Sequence, residues 1–119
     1  MRTRHLRFGL YADEEGLAWA GSLVDGAVAA SQGARLVERS VLRTLPGSGM
    51  TTADLYDHLA EQWAWEHPGQ SGGAREPVEL RVRLVCSLRT WRAVRKAVLR
   101  GLCPQGASPH VCRVPWCAA

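Results

Sequence analysis

Residues 78–102 read VELRVRLVCSLRTWRAVRKAVLRGL. Apolar side chains occupy every second position over 78–88, and mostly polar ones lie between them, which predicts a β-strand with one buried face. Beyond that strand the spacing lengthens, because Trp91, Val94 and Val98 follow the three-to-four-residue repeat of a helix buried on one side. We therefore expect a strand that leads into an amphipathic helix over 90–102.

The segments before residue 78 show the same two repeats, every second residue for strands and every three to four residues for helices. Leu6, Phe8 and Leu10 alternate with polar or small residues and predict a first strand. Asp13 is a suitable N-cap for a helix that ends near Gly33. Similar signals predict a strand over 34–45, a helix from 51–52 to 68, a flexible loop over 68–77 and a short strand over 110–114.

The predicted order is β-α-β-α-β-α-β, in a single domain over residues 1–119. Two β-α-β halves with an extra helix between strands two and three are typical of a ferredoxin-like α+β sandwich. Because the strands are polar on one side, we expect a four-stranded, largely antiparallel sheet with helices on one face. An open α/β sheet is the alternative. The second face would be solvated or would pair with a second copy.

The composition is that of an ordinary globular chain, with 119 residues of which 46% are hydrophobic and 22% charged. It excludes a disordered chain and a collagen-like repeat. No run approaches the ~18 apolar residues that a membrane span needs, so we expect no membrane partner. Arg7 and the acidic residues 13–15 also interrupt any secretory signal, which predicts a cytoplasmic protein.

Charge is divided unequally along the chain. Residues 1–73 hold six basic and nine acidic residues, whereas residues 74–119 hold nine basic and two acidic ones. Such asymmetry indicates an anionic partner for the C-terminal half, or an acidic surface that faces a basic one in a dimer. Fourteen of the fifteen basic residues are Arg, as a GC-rich bacterial genome would favour. The positions of the arginines therefore carry more information than their number.

The helix over 90–102 and its first flanking residue carry five basic side chains: Arg89, Arg92, Arg95, Lys96 and Arg100. Rows of cations bind phosphate backbones by charge neutralisation, so binding of nucleic acid or another polyanion is one hypothesis. Arg81 and Arg83 add charge on a sheet face in the same half. The alternative is a solvated helix face, and the aromatic pair, glycine clamp and helix-turn-helix spacing of nucleic-acid readers are lacking.

Two tryptophans, Trp65 and Trp116, fall outside the predicted core stripes. Exposed aromatic side chains often mark surfaces that bind a ligand or a partner. Together with the flat polar sheet face and the divided charge, they support our first functional hypothesis. The protein is a small binding, adaptor or regulatory module that acts through a protein partner or as a homo-oligomer.

A small biosynthetic enzyme, with a pocket in a dimeric α+β barrel, is a further hypothesis. Its candidate acid–base residues are His5, Tyr11 and His110. His5 and Tyr11 share the polar side of the first strand, which makes them the most testable pair.

The cysteines do not have the spacing of a metal site. Cys103, His110, Cys112 and Cys117 offer soft ligands, but no Cys-x-x-Cys pair is present. We therefore expect no metal and no cofactor. Without a secretory signal, the thiols of these three cysteines and of Cys86 are expected to be free in a reducing compartment.

Overall fold

A computed structural model of the chain describes residues 1–44, 47, 49–104 and 113–118. Strands and helices alternate as predicted, with the second helix divided in two. The elements are β1 (Arg2–Ala12), α1 (Glu14–Ala30), β2 (Arg35–Leu42), α2 (Thr52–Leu55), α3 (Asp57–Glu66), β3 (Glu76–Cys86), α4 (Leu88–Leu102) and β4 (Trp116–Ala118).

The four strands form one antiparallel sheet with the order β2-β3-β1-β4. β1 and β3 lie in its centre and pair from Arg2 opposite Cys86 to Ala12 opposite Glu76. The prediction of an α+β fold with a four-stranded antiparallel sheet is thereby confirmed. Because β3 begins at Glu76, the last two residues of the predicted loop 68–77 belong to the strand.

The main hydrophobic core lies between α1, α4 and one side of the sheet, which we call the inner face. Leu6, Phe8 and Leu10 of β1 are almost fully buried there, as their alternation predicts. The two helices approach closely because Gly101 has no side chain. A Cβ at that position would lie 2.7 Å from the side chain of Leu23.

The short helices α2 and α3 pack on the opposite side of the sheet, the outer face, so the prediction that all helices lie on one face is wrong. Gly9 points to the outer face, and a Cβ there would overlap the ring of Tyr56, which is buried. Tyr11, two residues along β1, meets Trp63 of α3 edge to face, with ring centroids 6.2 Å apart. Because Gly9 has no side chain, Tyr56 and the adjoining helices can pack on the polar face of β1.

Side-chain caps set the starts of α1, α2 and α4, the first of them by Asp13 as predicted. Thr51 and Asp54 form a capping box at the start of α2, at the spacing seen in the sequence. α4 begins two residues before the predicted Thr90, because the Ser87 side chain accepts the backbone N–H of Thr90. Leu88 therefore lies in the first helical turn.

The last strand lies further along the chain than predicted. Residues 110–112 of the predicted strand fall outside the described residues, and residues 113–114 form a bend. β4 instead begins at Trp116, after Pro115, whose carbonyl accepts the backbone N–H of Tyr11 at 3.0 Å. Proline has no N–H to donate, so Pro115 contacts β1 through its carbonyl alone and the regular strand pairing begins at Trp116.

Strand β2 is shorter than the predicted 34–45 and carries an irregularity. Its pairing with β3 shifts between Leu36 and Glu38, which leaves Val37 out of register and exposed. Bulges of this kind twist an edge strand and hinder pairing with another chain.

None of the helices in the described residues has the length and the apolar character that crossing a lipid bilayer requires.

Candidate functional site

The outer face of the sheet divides into two halves along its strands. The covered half, on which α2 and α3 pack, includes Gly9, Tyr11, Pro77 and Glu79. The open half comprises Thr3, His5, Arg7, Arg35, Glu38, Ser40, Arg81, Arg83 and Val85, which lie side by side across β1, β3 and β2.

The covered half contains a buried carboxylate. Glu79 is 1% exposed. The Tyr56 hydroxyl donates a hydrogen bond to its Oε1 at 2.6 Å, and Arg81 Nε donates to its Oε2 at 2.5 Å. Such partners are required because an unpaired buried charge is very costly. The three residues therefore connect the α2–α3 segment to β3.

The Tyr56 phenol is held in its neutral form. Burial raises its pKa, and the hydrogen bond to Glu79 raises the pKa further. At neutral pH the hydroxyl therefore remains a hydrogen-bond donor to the buried carboxylate. Its role is structural, since both groups are shielded from solvent.

Cys117 lies opposite Gly9 at the β4 edge of the covered half. Burial raises the pKa of its thiol, and the nearby Glu79 charge acts in the same direction, against a backbone hydrogen bond from Gly9. A thiol with a raised pKa is a weak nucleophile at neutral pH. This environment does not favour cysteine catalysis.

Trp63 anchors the far end of α3. Its ring stacks on His67, with centroids 4.4 Å apart, and the Arg75 guanidinium lies 4.9 Å from its centroid. The loop predicted as flexible over 68–77 is therefore held to α3 at Arg75. Gly72 of this loop leaves room for the hydroxyl of Tyr11.

The open half is strongly basic. It contains four arginines, while Glu38 is its one carboxylate. Arg7 lies directly opposite Arg81, and Arg35 and Arg7 form no ion pair with any described carboxylate. Glu79 balances the charge of Arg81, so the uncompensated positive charge of this surface is that of Arg7 and Arg35. Clustered like charges disfavour folding, and local choices of this kind are often retained for function.

A cavity of about 220 Å³ opens within this basic surface. His5 of β1, Arg81 and Arg83 of β3, and Glu38 and Ser40 of β2 are among its lining residues. Arg83 donates to Glu38 at 2.8 Å, so one arginine of the cavity is held by a neighbouring strand. The arrangement presents hydrogen-bond donors in a recess that is open to solvent.

The basic residues of α4 face away from the sheet. Val94, Val98 and Leu102 are buried in the core, whereas the cationic side chains are largely exposed. No ion pair with a described carboxylate is formed by Arg89, Arg92, Arg95, Lys96 or Arg100.

The predicted acid–base residues do not meet. His5 and Tyr11 both point to the outer face, but six residues of extended chain separate them by roughly 20 Å. His5 lies in the open half, whereas Tyr11 lies beneath α3. His110 falls outside the described residues.

The two tryptophans predicted to mark a partner surface lie on different sides of the sheet. Trp65 of α3 is 85% exposed and lines a shallow apolar groove with Ala64 and Pro68. Trp116 pairs with Leu10 in the sheet and packs against the inner-face core. No common surface contains both.

Cys86 and Cys117 have free thiols, and Cys112 lies outside the described residues. Among the residues that the structure does describe, no group of three or more His, Cys, Asp or Glu side chains could hold a metal ion.

Sequence reasoning did not select Glu79, Tyr56, Arg7 or Arg35 as site residues. A signal for the covered half was present in Gly9, because a glycine inside a strand often marks close approach of another backbone or side chain. The open half emerges only when the register of three strands is known, since its arginines come from distant parts of the chain.

No protein-family model matches this chain, and neither a curated protein nor a solved structure shows detectable similarity to it.

Proposed function

We propose that the protein is a small, non-catalytic binding module that docks an acidic protein partner on the open half of its outer sheet face. The observation that carries the proposal is the concentration of four arginines around one carboxylate, two of which, Arg7 and Arg35, form no ion pair with any described carboxylate. Complementary charge steers such partners together and suppresses wrong ones.

We also propose that the architecture is ferredoxin-like. The central pair β1–β3 and the packing of α1 and α4 on the inner face support this classification. The α2–α3 segment on the outer face is then an addition that covers half of the sheet surface. The fold itself does not select a function, because many unrelated functions occur on it.

An acidic partner is favoured over a second copy of the chain on this face. Two open halves placed face to face would oppose the arginines of one copy to those of the other, which costs free energy. The acidic residues of α1, Glu14 and Glu15, lie at the N-terminus of that helix and do not face the open half.

A reducing compartment such as the cytoplasm is our proposal for where the protein acts. The free thiols of Cys86 and Cys117 support it, since Cys117 is partly exposed and would be open to oxidation elsewhere.

Affinity capture from a lysate of the source cells tests the proposed partner surface. The wild type is compared with a sheet variant, Arg7→Gln with Arg83→Gln, and with a helix variant, Arg92→Gln with Arg100→Gln. Both variants remove two positive charges from exposed positions. We expect the sheet variant to lose an acidic protein by about tenfold or more, while the helix variant retains it within about twofold.

Equal capture by all three proteins would contradict the proposal. So would loss of the partner from the helix variant alone, because α4 would then be the binding surface.

We propose binding of a polyanion through α4 as the second candidate function. The observation in its favour is that five exposed or partly exposed cations of α4 are not neutralised by any described carboxylate. Arg92→Ala, Lys96→Ala and Arg100→Ala should each lower the salt dependence of binding to a mixed-sequence nucleic acid by about one unit. Binding that does not depend on salt, or no binding at all, would exclude this candidate.

A further inference from the structure

The cavity in the open half has the features of a subsite for a single anionic group. Its volume is about 220 Å³, which is enough for a carboxylate and part of the side chain that carries it. Arg81 and Arg83 line it from β3, and Ser40 adds a hydroxyl from β2. All three come from strands, whose side-chain positions are more rigid than those of loops.

Both arginines of the cavity are held in place by carboxylates that leave donors free. Arg81 uses Nε for Glu79, and Arg83 uses one terminal nitrogen for Glu38. Their other guanidinium N–H groups donate to no described residue. Arginines oriented in this way lose less conformational entropy when they bind a ligand.

The balance of charge selects the class of ligand. Glu79 and Glu38 each pair with one of the cavity arginines. Two unpaired arginines remain in the open half, but only Arg7 lies directly opposite an arginine of the cavity, Arg81, whereas Arg35 lies opposite Val85, outside the cavity lining. One negative charge therefore complements the site, whereas the second charge of a phosphate would be repelled by Glu38.

We propose that this cavity binds the carboxylate of a Glu or Asp side chain presented by the acidic protein partner. This inference rests on the proposed function and names the chemical group that the open half recognises. The carboxylate would accept charge-assisted hydrogen bonds from Arg81 and Arg83, while its charge is balanced by the unpaired Arg7 beside them.

Titration with a capped triglutamate peptide tests the subsite on the isolated protein. NMR follows the backbone amides and the Nε–H signals of the arginines, with a capped triglutamine peptide as the neutral control. We expect the triglutamate peptide to shift the signals of Arg81, Arg83 and Ser40, and the triglutamine peptide to leave them unchanged. Inorganic phosphate at equal concentration should bind more weakly than the triglutamate peptide.

Charge variants separate a subsite from diffuse attraction. Arg83→Gln should weaken peptide binding by about tenfold, whereas Arg35→Gln, which removes the same charge beside the cavity, should weaken it by less than about twofold. Glu38→Gln should strengthen binding by about threefold. All three side chains are exposed, and the amide spectrum verifies that each variant folds.

Equal weakening by Arg83→Gln and Arg35→Gln would overturn the subsite, as would the absence of any peptide-induced shift. Tighter binding of phosphate would overturn the choice of carboxylate. These results leave the proposed function standing if the sheet variant still loses the acidic partner in affinity capture. Failure of the proposed function is recognised separately, by capture that does not depend on the open half.

Discussion

Gly9 is the residue that determines how closely α2 and α3 approach the sheet. A Cβ at this position would overlap the ring of buried Tyr56, so we expect Gly9→Ala to lower the free energy of unfolding by about 1–3 kcal/mol. Urea denaturation measures the change. The control is Gly26→Ala in α1, where a Cβ meets no atom within 4 Å. That variant should gain about 0.5–1 kcal/mol from helix propensity. Equal effects of the two variants would show that α2 does not pack on Gly9.

Tyr56 makes stability depend on pH in the alkaline range. Its pKa is raised by burial and by the hydrogen bond to Glu79, so the unfolded chain releases this proton at lower pH than the folded chain. The stabilisation is complete below about pH 10, the ordinary pKa of tyrosine, and declines as the pH rises above it by at most about 1.4 kcal/mol per pH unit. Urea unfolding from pH 8 to about 10.5 should show a steeper decline for the wild type than for Tyr56→Phe. Parallel curves would contradict the buried hydrogen bond.

At the scale of elements, the α2–α3 segment should open more readily than the centre of the sheet. β1 and β3 pair over eleven residues, whereas α2 and α3 rest on the outer face through a few side chains. Local opening free energies are lowest where few buried contacts hold an element. We expect amide hydrogens of α3 to exchange with deuterium before those of β1 and β3. Simultaneous exchange of all three elements would show that the segment is an integral part of the core.

The elements differ in how far the sequence alone predicts them. β1, β3 and α4 follow clear periods, because each has one face buried in a single core and the other in solvent. α3 also shows a buried stripe at Leu59 and Trp63, but a stripe does not say which face of the sheet it meets. The sequence pattern does not predict the position of β4 for a related reason. Trp116 looks like a tail residue until the register places it beside Leu10.

The functional surface is predicted less well than the elements that form it. Arg81 and Arg83 are visible on the polar side of one strand, and Arg7 on that of another. That Arg7 lies opposite Arg81 follows only from strand order and register, which periodicity does not determine. The same limit applies to the buried Glu79, whose partner Tyr56 is 23 residues away.

At the scale of the whole molecule, two basic surfaces lie on opposite sides, the open half on the outer face and α4 over the inner face. We expect the purified protein to be a monomer of 13.0 kDa in native mass spectrometry, because the open half repels a second copy. If the double variant Arg7→Glu with Arg83→Glu forms a dimer and the wild type does not, the result would agree with repulsion between open halves. A wild-type dimer that the same substitutions dissociate would contradict the choice of an acidic partner.

Site-specific photo-crosslinking in the source cells identifies the surface of the protein that contacts the acidic partner. A photoreactive amino acid replaces Ser40 in the cavity of the open half or, as the matched control, exposed Ala97 on α4. We expect a crosslinked acidic protein from position 40, reduced when Arg83→Gln is added, and none of that protein from position 97. A partner crosslinked from position 97 alone would contradict binding at the open half and would place the binding surface on the helix.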